Sequence, residues 1–307
     1  MGYIKIGTII LFSLLSYILA GQTVDKETKV YAVKEGQELK LDIYKSNNST
    51  SQNQPCIIYV FGGGFKEGSR DNVDDIPYFN FFAERGFTVV SIDYRLGMTG
   101  QKAPSLFNFK PLTNAISLAV SDLYTATCYL LENADELNID PSLFIISGSS
   151  AGAITVLHAD YEERDNHPSA DVLPEDFKYA GVISFAGGIF SNEGLPSYDQ
   201  KPAPTMFFHG SADKLVIYNK TRFFKTGMFG SAALTKRFKQ ERYPYVFYSY
   251  EGLGHEVSSL PMKEFLPEIE KFIDELVVNK EQLMIDINYI DLLHHPETSD
   301  TPETFYN

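Results

Sequence analysis

Cysteine is scarce in this chain: Cys56 and Cys128 are the only two among 307 residues. Two cysteines cannot build a zinc site alone, and His-Glu-x-x-His or a related spacing is absent, so we predict no metal site. Cys56 precedes a predicted central strand, and Cys128 lies in a helical stretch. We therefore expect two unpaired, partly buried thiols; a disulfide between them is the alternative in an exported protein.

Basic residues are also few. The chain has 26 Lys and Arg against 40 Asp and Glu, for a formal net charge of -14. Binding to nucleic acid or to an anionic membrane needs basic patches, so we expect neither partner. The same charge disfavours strongly anionic substrates.

Nucleotide-binding motifs are missing as well. Three successive glycines occupy residues 62–64, but the Gly-Lys-Ser/Thr of a phosphate-binding loop does not follow them. Gly-x-Gly-x-x-Gly is also absent there. The glycine run therefore does not indicate a nucleotide, and we predict no organic cofactor.

Only one segment has a long apolar run. Lys5 precedes apolar residues 6–19, and small residues follow at positions 20–21. The run is too short to span a bilayer comfortably, and this order is typical of a cleavable secretory signal. No cysteine follows to carry a bacterial lipoprotein anchor. We predict a signal peptide over residues 1–21, no stable membrane insertion of the mature chain, and a secreted or periplasmic protein; an uncleaved membrane anchor is the alternative.

The rest of the sequence predicts an α/β fold. Hydrophobic residues make up 44% of the chain, and short apolar runs alternate with amphipathic stretches. Continuous apolarity indicates strands covered on both faces, hence a mostly parallel central sheet flanked by helices on both faces. The predicted parallel strands are 57–60, 88–92, 143–146, 182–185, 206–208 and 246–250. Residues 29–33 and 38–44 predict an antiparallel hairpin at the sheet edge.

Apolar residues at helical spacing predict two helices, through residues 116–130 and 265–276. One domain over residues 22–278 is the simplest account of these elements. Residues 279–307 then form a tail, which we expect to lie on the surface or to end in disorder.

The spacing of the strands also predicts what covers the sheet. Between the apolar runs that end near residue 185 and begin near 206, there is room for a loop or one short helix. We therefore predict a small or absent cap and an open cleft. Residues 97–111 are expected to overhang it.

The most informative motif is Gly-Ser-Ser-Ala-Gly at residues 148–152, directly after the apolar run 143–146. A Gly-x-Ser-x-Gly sequence between a buried strand and a helix places the serine at a sharp turn with its hydroxyl exposed. Ser150 has a glycine two residues before it and another two residues after it, so it is favoured over Ser149 as a nucleophile.

Three further motifs follow other predicted strands. Residues 61–65, Phe-Gly-Gly-Gly-Phe, expose the backbone N–H groups that an oxyanion hole requires. Asp213 lies just past the apolar run 206–208, at a strand's carboxyl end. His255 lies on a glycine-containing loop after residues 246–250. The order Ser, Asp, His along the chain is the one expected of one particular hydrolase fold.

Together these motifs resemble the α/β-hydrolase superfamily, specifically carboxylesterases with a Gly-rich oxyanion loop. The resemblance covers residues 44–278, with 91–96 similar to the strand end after the oxyanion loop. It implies the α/β-hydrolase fold and a catalytic triad of Ser150 as nucleophile, His255 as general base and Asp213 as the carboxylate that orients the histidine.

The oxyanion hole implied by the resemblance consists of the backbone N–H groups of Gly63, Gly64 and Ala151. One position departs from the family pattern, which usually has His before the three glycines. Here that residue is Phe61. The donors are backbone groups, so the hole is expected to survive, but the loop needs another anchor.

Each site residue has a structural alternative. Ser150 could cap a helix at the surface, Asp213 could cap the helix that follows it, and residues 62–64 could be only a flexible turn. The remaining histidines are less suited to act as the base, by family order or by position: His158, His167, His209, His294 and His295.

We therefore expect an enzyme that hydrolyses carboxylic esters through an acyl-enzyme, without metal or cofactor. Its expected partner is a small-molecule or carbohydrate-linked ester, such as an acylated plant glycan, because export and an open cleft favour such substrates. A serine peptidase of the same fold and a non-catalytic binding protein with the hydrolase fold are the alternatives. The sequence does not determine the acyl group, the alcohol or the oligomeric state.

Overall fold

The computed structural model describes residues 23–47, 53–105, 108–297 and 299–306. The predicted signal peptide, residues 1–21, lies outside the described residues. The strands are β1 (Val24–Lys34), β2 (Gln37–Ser46), β3 (Gln54–Val60), β4 (Thr88–Ile92), β5 (Ile139–Ser149), β6 (Gly181–Phe185), β7 (Gly188–Ser191), β8 (Thr205–Gly210), β9 (Lys220–Phe223), β10 (Thr226–Gly230), β11 (Tyr245–Tyr250) and β12 (Met284–Tyr289). The helices are α1 (Ile76–Ala83), α2 (Lys110–Glu132), α3 (Ala134–Leu137), α4 (Ala151–Arg164), α5 (Ser231–Glu241), α6 (Pro261–Glu264), α7 (Leu266–Phe272) and α8 (Pro302–Tyr306).

A nine-stranded sheet in the order β1-β2-β4-β3-β5-β6-β8-β11-β12 forms the centre of the fold. The β1–β2 hairpin and the β2–β4 pair are antiparallel, and the other neighbours in this sheet are parallel. The predicted hairpin and all six predicted parallel strands are confirmed. Strands β3, β4, β6 and β8 are almost wholly buried, as expected for strands with helices on both faces.

Parallel pairing brings four distant parts of the sequence to one edge of the sheet. Val60 pairs with Gly148 between β3 and β5, and Gly210 pairs with Tyr250 between β8 and β11. The loops that carry the glycine run, Ser150, Asp213 and His255 therefore leave the sheet at its carboxyl edge. Ligands of open α/β sheets bind at this edge.

Two predicted helices are confirmed. In α2 the predicted stripe, from Ile116 to Leu130, is buried. The second helix begins as α7 and continues with π-helical geometry over Ile273–Val278, burying Ile269, Phe272 and Leu276. None of the helices in the described part of the chain is long and apolar enough to cross a membrane.

Two parts of the fold differ from the prediction, residues 188–230 and the segment after residue 279. A three-stranded antiparallel sheet, β7-β10-β9, was not predicted; its first strand, β7, lies where a loop or one short helix was expected. The segment after residue 279, expected to be an irregular tail, adds β12 to the main sheet parallel to β11. Its alternating residues are compatible with a half-exposed edge strand, because one face of β12 is open to solvent.

Both cysteines are free thiols, as predicted. Cys56 is fully buried in β3, and burial raises the pKa of its thiol far above the usual range. The thiol of Cys128 donates to the carbonyl oxygen of Val172 at 3.2 Å. Neither cysteine lies at the carboxyl edge of the sheet.

One buried ion pair fixes α2 against the end of β4. The Asp122 carboxylate, which is fully buried, accepts from Arg95 Nη2 at 2.8 Å and from the Arg95 backbone N–H at 2.8 Å. Lys34 Nζ in β1 lies 2.9 Å from the same carboxylate. Asp122 thus joins three elements, and the same Arg95 forms an exposed pair with Glu35 at 3.0 Å.

We predict that Asp122→Asn lowers the free energy of unfolding by about 3 kcal/mol, because it leaves two cations without their buried partner. Glu35→Gln is the matched control, since it removes an exposed partner of the same arginine and should change stability much less. Chemical denaturation of both variants measures the difference. Equal losses would show that the buried pair does not hold α2 in place.

Candidate active site

Ser150 occupies a strained turn between β5 and α4. Its φ of 51° and ψ of -113° lie outside the regions that non-glycine residues favour. The turn is held by a hydrogen bond of 2.8 Å from the Ser150 N–H to the carbonyl oxygen of Phe185. Strain of this kind at a residue between strand and helix is the geometry that presents a serine hydroxyl at the sheet edge.

The turn requires that α4 approach β3 very closely. A Cβ on Gly152 would lie 1.9 Å from the carbonyl oxygen of Val60, far inside contact distance. Only glycine therefore allows the first turn of α4 to pack here. The spacing of the Gly-x-Ser-x-Gly motif thus has a steric cause in this fold.

His255 meets Ser150 from the loop after β11. Its Nε2 lies 2.8 Å from the Ser150 Oγ. The loop continues as a short 3-10 turn, His255–Ser258, and the Ser149 hydroxyl donates to the Ser258 carbonyl oxygen at 2.9 Å. The residue next to the proposed nucleophile therefore helps to position the histidine loop.

Asp213 contacts the other ring nitrogen of His255. Its Oδ2 lies 2.7 Å from His255 Nδ1, and its Oδ1 accepts from the N–H groups of Leu215 and Val216 at 2.9 and 3.0 Å. An ionised carboxylate only accepts, so Nδ1 carries the proton and Nε2 is left to accept from the hydroxyl of Ser150. The three side chains predicted from sequence therefore lie together in one hydrogen-bonded chain.

A second imidazole lies behind the carboxylate. His209 is fully buried, with Nε2 3.0 Å from the Val216 carbonyl oxygen and 3.4 Å from Asp213 Oδ2. The sequence indicated only a structural residue at a strand end. Its spacing of four residues from Asp213 was the available signal, but that spacing is common without contact.

The electrostatics of this cluster keep the carboxylate charged. Burial alone would raise the pKa of Asp213, but hydrogen bonds from His209 and His255 outweigh it and hold that pKa well below the usual range. Asp213 is therefore an anion at neutral pH. Protonation of this carboxyl is not expected to limit activity on the acid side.

The glycine loop, residues 62–64, packs directly against Ser150. A Cβ on Gly62 would lie 3.2 Å from the Ser150 Cβ. Within the described residues, the N–H groups of Gly63 and Gly64 donate to no protein acceptor, while the Gly63 carbonyl accepts from Lys66 and Glu67. The N–H of Ala151, in the first turn of α4, has no helical acceptor either. The loop thus offers free donors next to Ser150.

Aromatic packing anchors the loop where the family usually has His. The Phe61 ring stacks on Tyr94 with centroids 4.4 Å apart, and the Tyr94 hydroxyl donates to the Phe61 carbonyl oxygen at 3.0 Å. Both residues are buried. The loop therefore keeps a fixed conformation without the side-chain hydrogen bonds of a histidine.

Three of the remaining histidines, His158, His167 and His294, have other partners. His158 Nε2 accepts from the Phe190 N–H at 3.0 Å, and His167 pairs with Ser169 at 2.8 Å. His294 lies between Asp291 and Glu264, and the hydrogen bond that its Nδ1 donates to the Asp291 carboxylate raises its pKa. In the described part of the chain, these three residues are the one group whose ligand atoms lie close enough together to hold a metal ion. The ion pairs of His294 with the two carboxylates explain why they are close.

An apolar cavity of about 150 Å³ opens beside Ser150. Ser150, Ala151 and Gly64 form its floor. Its walls include residues 104, 105, 109 and 112, residues 214–217 with 221 and 228, and α8. The predicted overhang of residues 97–111 therefore contributes a wall, whereas the other two walls were not expected. The site is more covered than the open cleft that strand spacing predicted.

A second cavity, of about 500 Å³, touches Gly62, Gly63 and Ser149. Its other walls carry polar groups, among them Glu67, Asn72, Asp74 and Lys263. The two cavities therefore share the glycine loop but differ in chemistry: one is apolar and reaches Ser150, and the other is polar.

We predict that Gly152→Ala lowers the free energy of unfolding by about 3 kcal/mol or more, because the added methyl meets backbone that cannot rotate away. Gly36→Ala is the control: its φ is +81° but no atom lies within 4 Å of the new methyl, so we expect a loss of about 1 kcal/mol. Thermal and chemical unfolding of the two variants test this. A Gly152→Ala protein as stable as Gly36→Ala would contradict the close approach.

Comparison with known proteins agrees with this geometry. The BD-FAE family model matches residues 41–189, which include the glycine loop and Ser150. The chain is 31% identical over 118 residues to the fumonisin B1 esterase of Sphingopyxis macrogoltabida, covering 38% of this chain and 21% of that protein. It is 32% identical over 100 residues to carboxylesterase NlhH of Mycobacterium tuberculosis, covering 33% and 27% of the two chains. The matched segment is thus a minor part of both relatives.

Solved structures extend the similarity over most of the fold. The propionate-bound esterase Est2 of Thermogutta terrifontis superposes with a TM-score of 0.63 at 23% identity, covering 82% of this chain and 94% of that one. At this identity the likeness concerns the fold. The chain therefore has the α/β-hydrolase fold and is carboxylesterase-like in the half that carries Ser150.

Proposed function

We propose that this protein hydrolyses carboxylic esters through an acyl-enzyme formed on Ser150. One observation carries the proposal: Ser150 Oγ, His255 and Asp213 form a hydrogen-bonded chain with links of 2.8 and 2.7 Å. A serine hydroxyl is a weak nucleophile until a base takes its proton. Here the base is in contact and its tautomer is fixed by a buried carboxylate.

In the first half-reaction, His255 Nε2 takes the hydroxyl proton as Ser150 Oγ attacks the ester carbonyl carbon. Negative charge moves to the carbonyl oxygen, which accepts from the N–H groups of Gly63, Gly64 and Ala151. Each such donor is worth about 3 kcal/mol of the barrier. The imidazolium, stabilised by Asp213, then gives its proton to the alcohol as the carbon–oxygen bond breaks.

In the second half-reaction, water takes the place of the alcohol. His255 removes a proton from the water, and the resulting hydroxyl attacks the acyl carbon. The same N–H groups stabilise the second oxyanion. Collapse of this intermediate releases the carboxylic acid and returns the proton to Ser150.

The acyl group is assigned to the apolar cavity, because that cavity reaches Ser150 and the acyl group stays bonded to it. Its volume is about 150 Å³. An apolar cavity of this size holds a benzene molecule. Short acyl chains and single aromatic rings therefore fit, whereas long fatty acyl chains do not.

The alcohol is assigned to the polar cavity, which extends the proposal to hydroxyl-rich alcohols such as those of acylated carbohydrates. Sugar hydroxyls both donate and accept, so carboxylate, amide and ammonium groups suit them. Glu67, Asn72 and Lys263 offer all three types. Proximity to Gly62 and Gly63 supports an alcohol bound here while the carbonyl oxygen faces the glycine loop.

We expect Ser150→Ala to lower the rate of p-nitrophenyl acetate hydrolysis on the order of 10⁵-fold or more, which leaves only the catalysis that the oxyanion donors and binding supply. Ser149→Ala is the comparison, because it removes the alternative nucleophile and one neutral hydrogen bond to the histidine loop, so we expect activity to fall no more than about tenfold. The initial rate of p-nitrophenol release, followed by absorbance, measures the activity of both purified variants. Equal rates for wild type and Ser150→Ala, or a Ser149→Ala protein as inactive as Ser150→Ala, would reject the assignment of the nucleophile. Faster turnover of a matched peptide amide would instead favour a peptidase.

We expect Lys263→Ala to raise the KM for an acetylated xylo-oligosaccharide roughly tenfold, since a hydrogen bond to a charged group is lost, and to leave p-nitrophenyl acetate kinetics unchanged. Lys271→Ala, an exposed lysine outside both cavities, is the control. Parallel steady-state assays on the two substrates check this. A wild-type enzyme that hydrolyses only simple aryl or alkyl acetates would remove the carbohydrate assignment and keep the esterase.

A further inference from the structure

The segment after β12 crosses the two loops that flank the nucleophile. We call its described residues, 291–297 and 299–306, the strap. It first passes the histidine loop: the Glu256 carboxylate accepts from the N–H of Gly254 at 3.0 Å and from the N–H of Glu297 at 3.1 Å. One carboxylate therefore ties the strap to the residue that precedes His255.

The strap then reaches the glycine loop through α8. The Tyr306 hydroxyl donates to the Gly64 carbonyl oxygen at 2.7 Å. Lys66 Nζ donates to the Phe305 carbonyl oxygen at 3.2 Å and lies 5.6 Å from the centre of the Phe305 ring. Both aromatic residues are half-buried. These contacts join α8 to the glycine loop at Gly64 and to Lys66, which follows it.

The fit at Gly64 is tight. Its φ is +62°, and a Cβ there would lie 2.5 Å from the Phe305 ring and 2.8 Å from the Tyr306 hydroxyl oxygen. The two rings therefore occupy the space that a side chain at residue 64 would take. They also line the apolar cavity together with Ser150.

We propose that Phe305 is a specificity-determining residue and Tyr306 a positioning residue for ester hydrolysis at Ser150. The inference rests on the proposed function and adds to it the part of the chain that sets acyl size and holds the oxyanion loop. The juxtaposition that carries it is α8 packed on Gly64 at the wall of the cavity.

Tyr306 acts through the backbone of Gly64. Glycine is free to rotate, so the direction of the Gly64 N–H depends on what fixes the residue. The hydrogen bond from Tyr306 holds the carbonyl of the same residue. Burial raises the pKa of Tyr306 to about 12, so the phenol keeps its proton and donates throughout the working pH range.

Phe305 acts through shape. Its ring closes one wall of a cavity of about 150 Å³. An acyl chain that outgrows this volume meets the ring before it meets solvent. Removing the ring opens the cavity toward the strap, and each additional buried methylene then contributes favourably.

The test uses p-nitrophenyl esters from acetate to decanoate with the wild type, Phe305→Ala, Tyr306→Phe and the control Tyr289→Phe. Tyr289 lies in β12 and outside both cavities. For Phe305→Ala we expect kcat/KM for octanoate, relative to acetate, to rise at least tenfold. Phe305→Leu should change the ratio in the same direction, which keeps the test usable if the alanine variant does not fold.

For Tyr306→Phe we expect kcat for acetate to fall about fivefold with KM unchanged, as for one neutral hydrogen bond that acts on the transition state. Affinity for a trifluoromethyl ketone should fall by the same factor, because the hemiketal that the ketone forms with the Ser150 hydroxyl carries an oxygen in the oxyanion position. Tyr289→Phe should match the wild type in every assay. A purely structural role for Tyr306 would lower stability but leave the ketone affinity unchanged.

The outcomes separate this inference from the proposed function. A wild type that turns over esters, loses turnover on Ser150→Ala and keeps the same acyl profile and ketone affinity in the Phe305 and Tyr306 variants overturns the inference alone. A wild type with no more turnover than Ser150→Ala overturns both.

Discussion

The parallel register of β3, β5, β8 and β11 is the constraint on which the site depends. Ser150 and His255 are 105 residues apart and His255 and Asp213 are 42 apart, so no local structure can bring them together. In-register parallel pairing places their loops at one edge of the sheet, and the contact of Gly152 with the Val60 carbonyl lets α4 begin directly above β3. The strained backbone of Ser150 persists because the surrounding strands and helix leave it no alternative.

At this edge, electrostatic interactions set the charge of the site residues, and packing holds the glycine loop. Buried hydrogen bonds hold Asp213 as an anion, and that anion fixes the proton of His255 on Nδ1. The glycine loop carries no charge; it is held by the Phe61–Tyr94 stack on one side and by the strap on the other. The reacting groups are therefore positioned before substrate binds, which is the condition for effective oxyanion stabilisation.

Much of this arrangement could be predicted from sequence, because its signals are local. Each triad residue follows an apolar strand and has a glycine within three residues, so Ser150, Asp213 and His255 were identifiable without coordinates. The contact of His209 with Asp213 was not predictable, because the sequence around a histidine at a strand end does not show whether the side chain faces a carboxylate or the core. Tyr306 lies 242 residues from Gly64, and the polar composition of its segment gave no sign of contact. The β7-β10-β9 sheet was missed because β9 is polar and exposed, and the glycine and polar residues of β7 and β10 leave no continuous apolar run.

The central claim is that an acyl group bonds to Ser150. The most direct measurement is to quench the protein during turnover of a slowly deacylating ester, digest it and locate the added acyl mass by tandem mass spectrometry. We expect one acyl group per chain, on the hydroxyl of Ser150, and none on the Ser150→Ala protein under the same conditions. Ester turnover with the acyl mass on another residue, or with no covalent adduct under conditions in which an acyl-enzyme must accumulate, would contradict it.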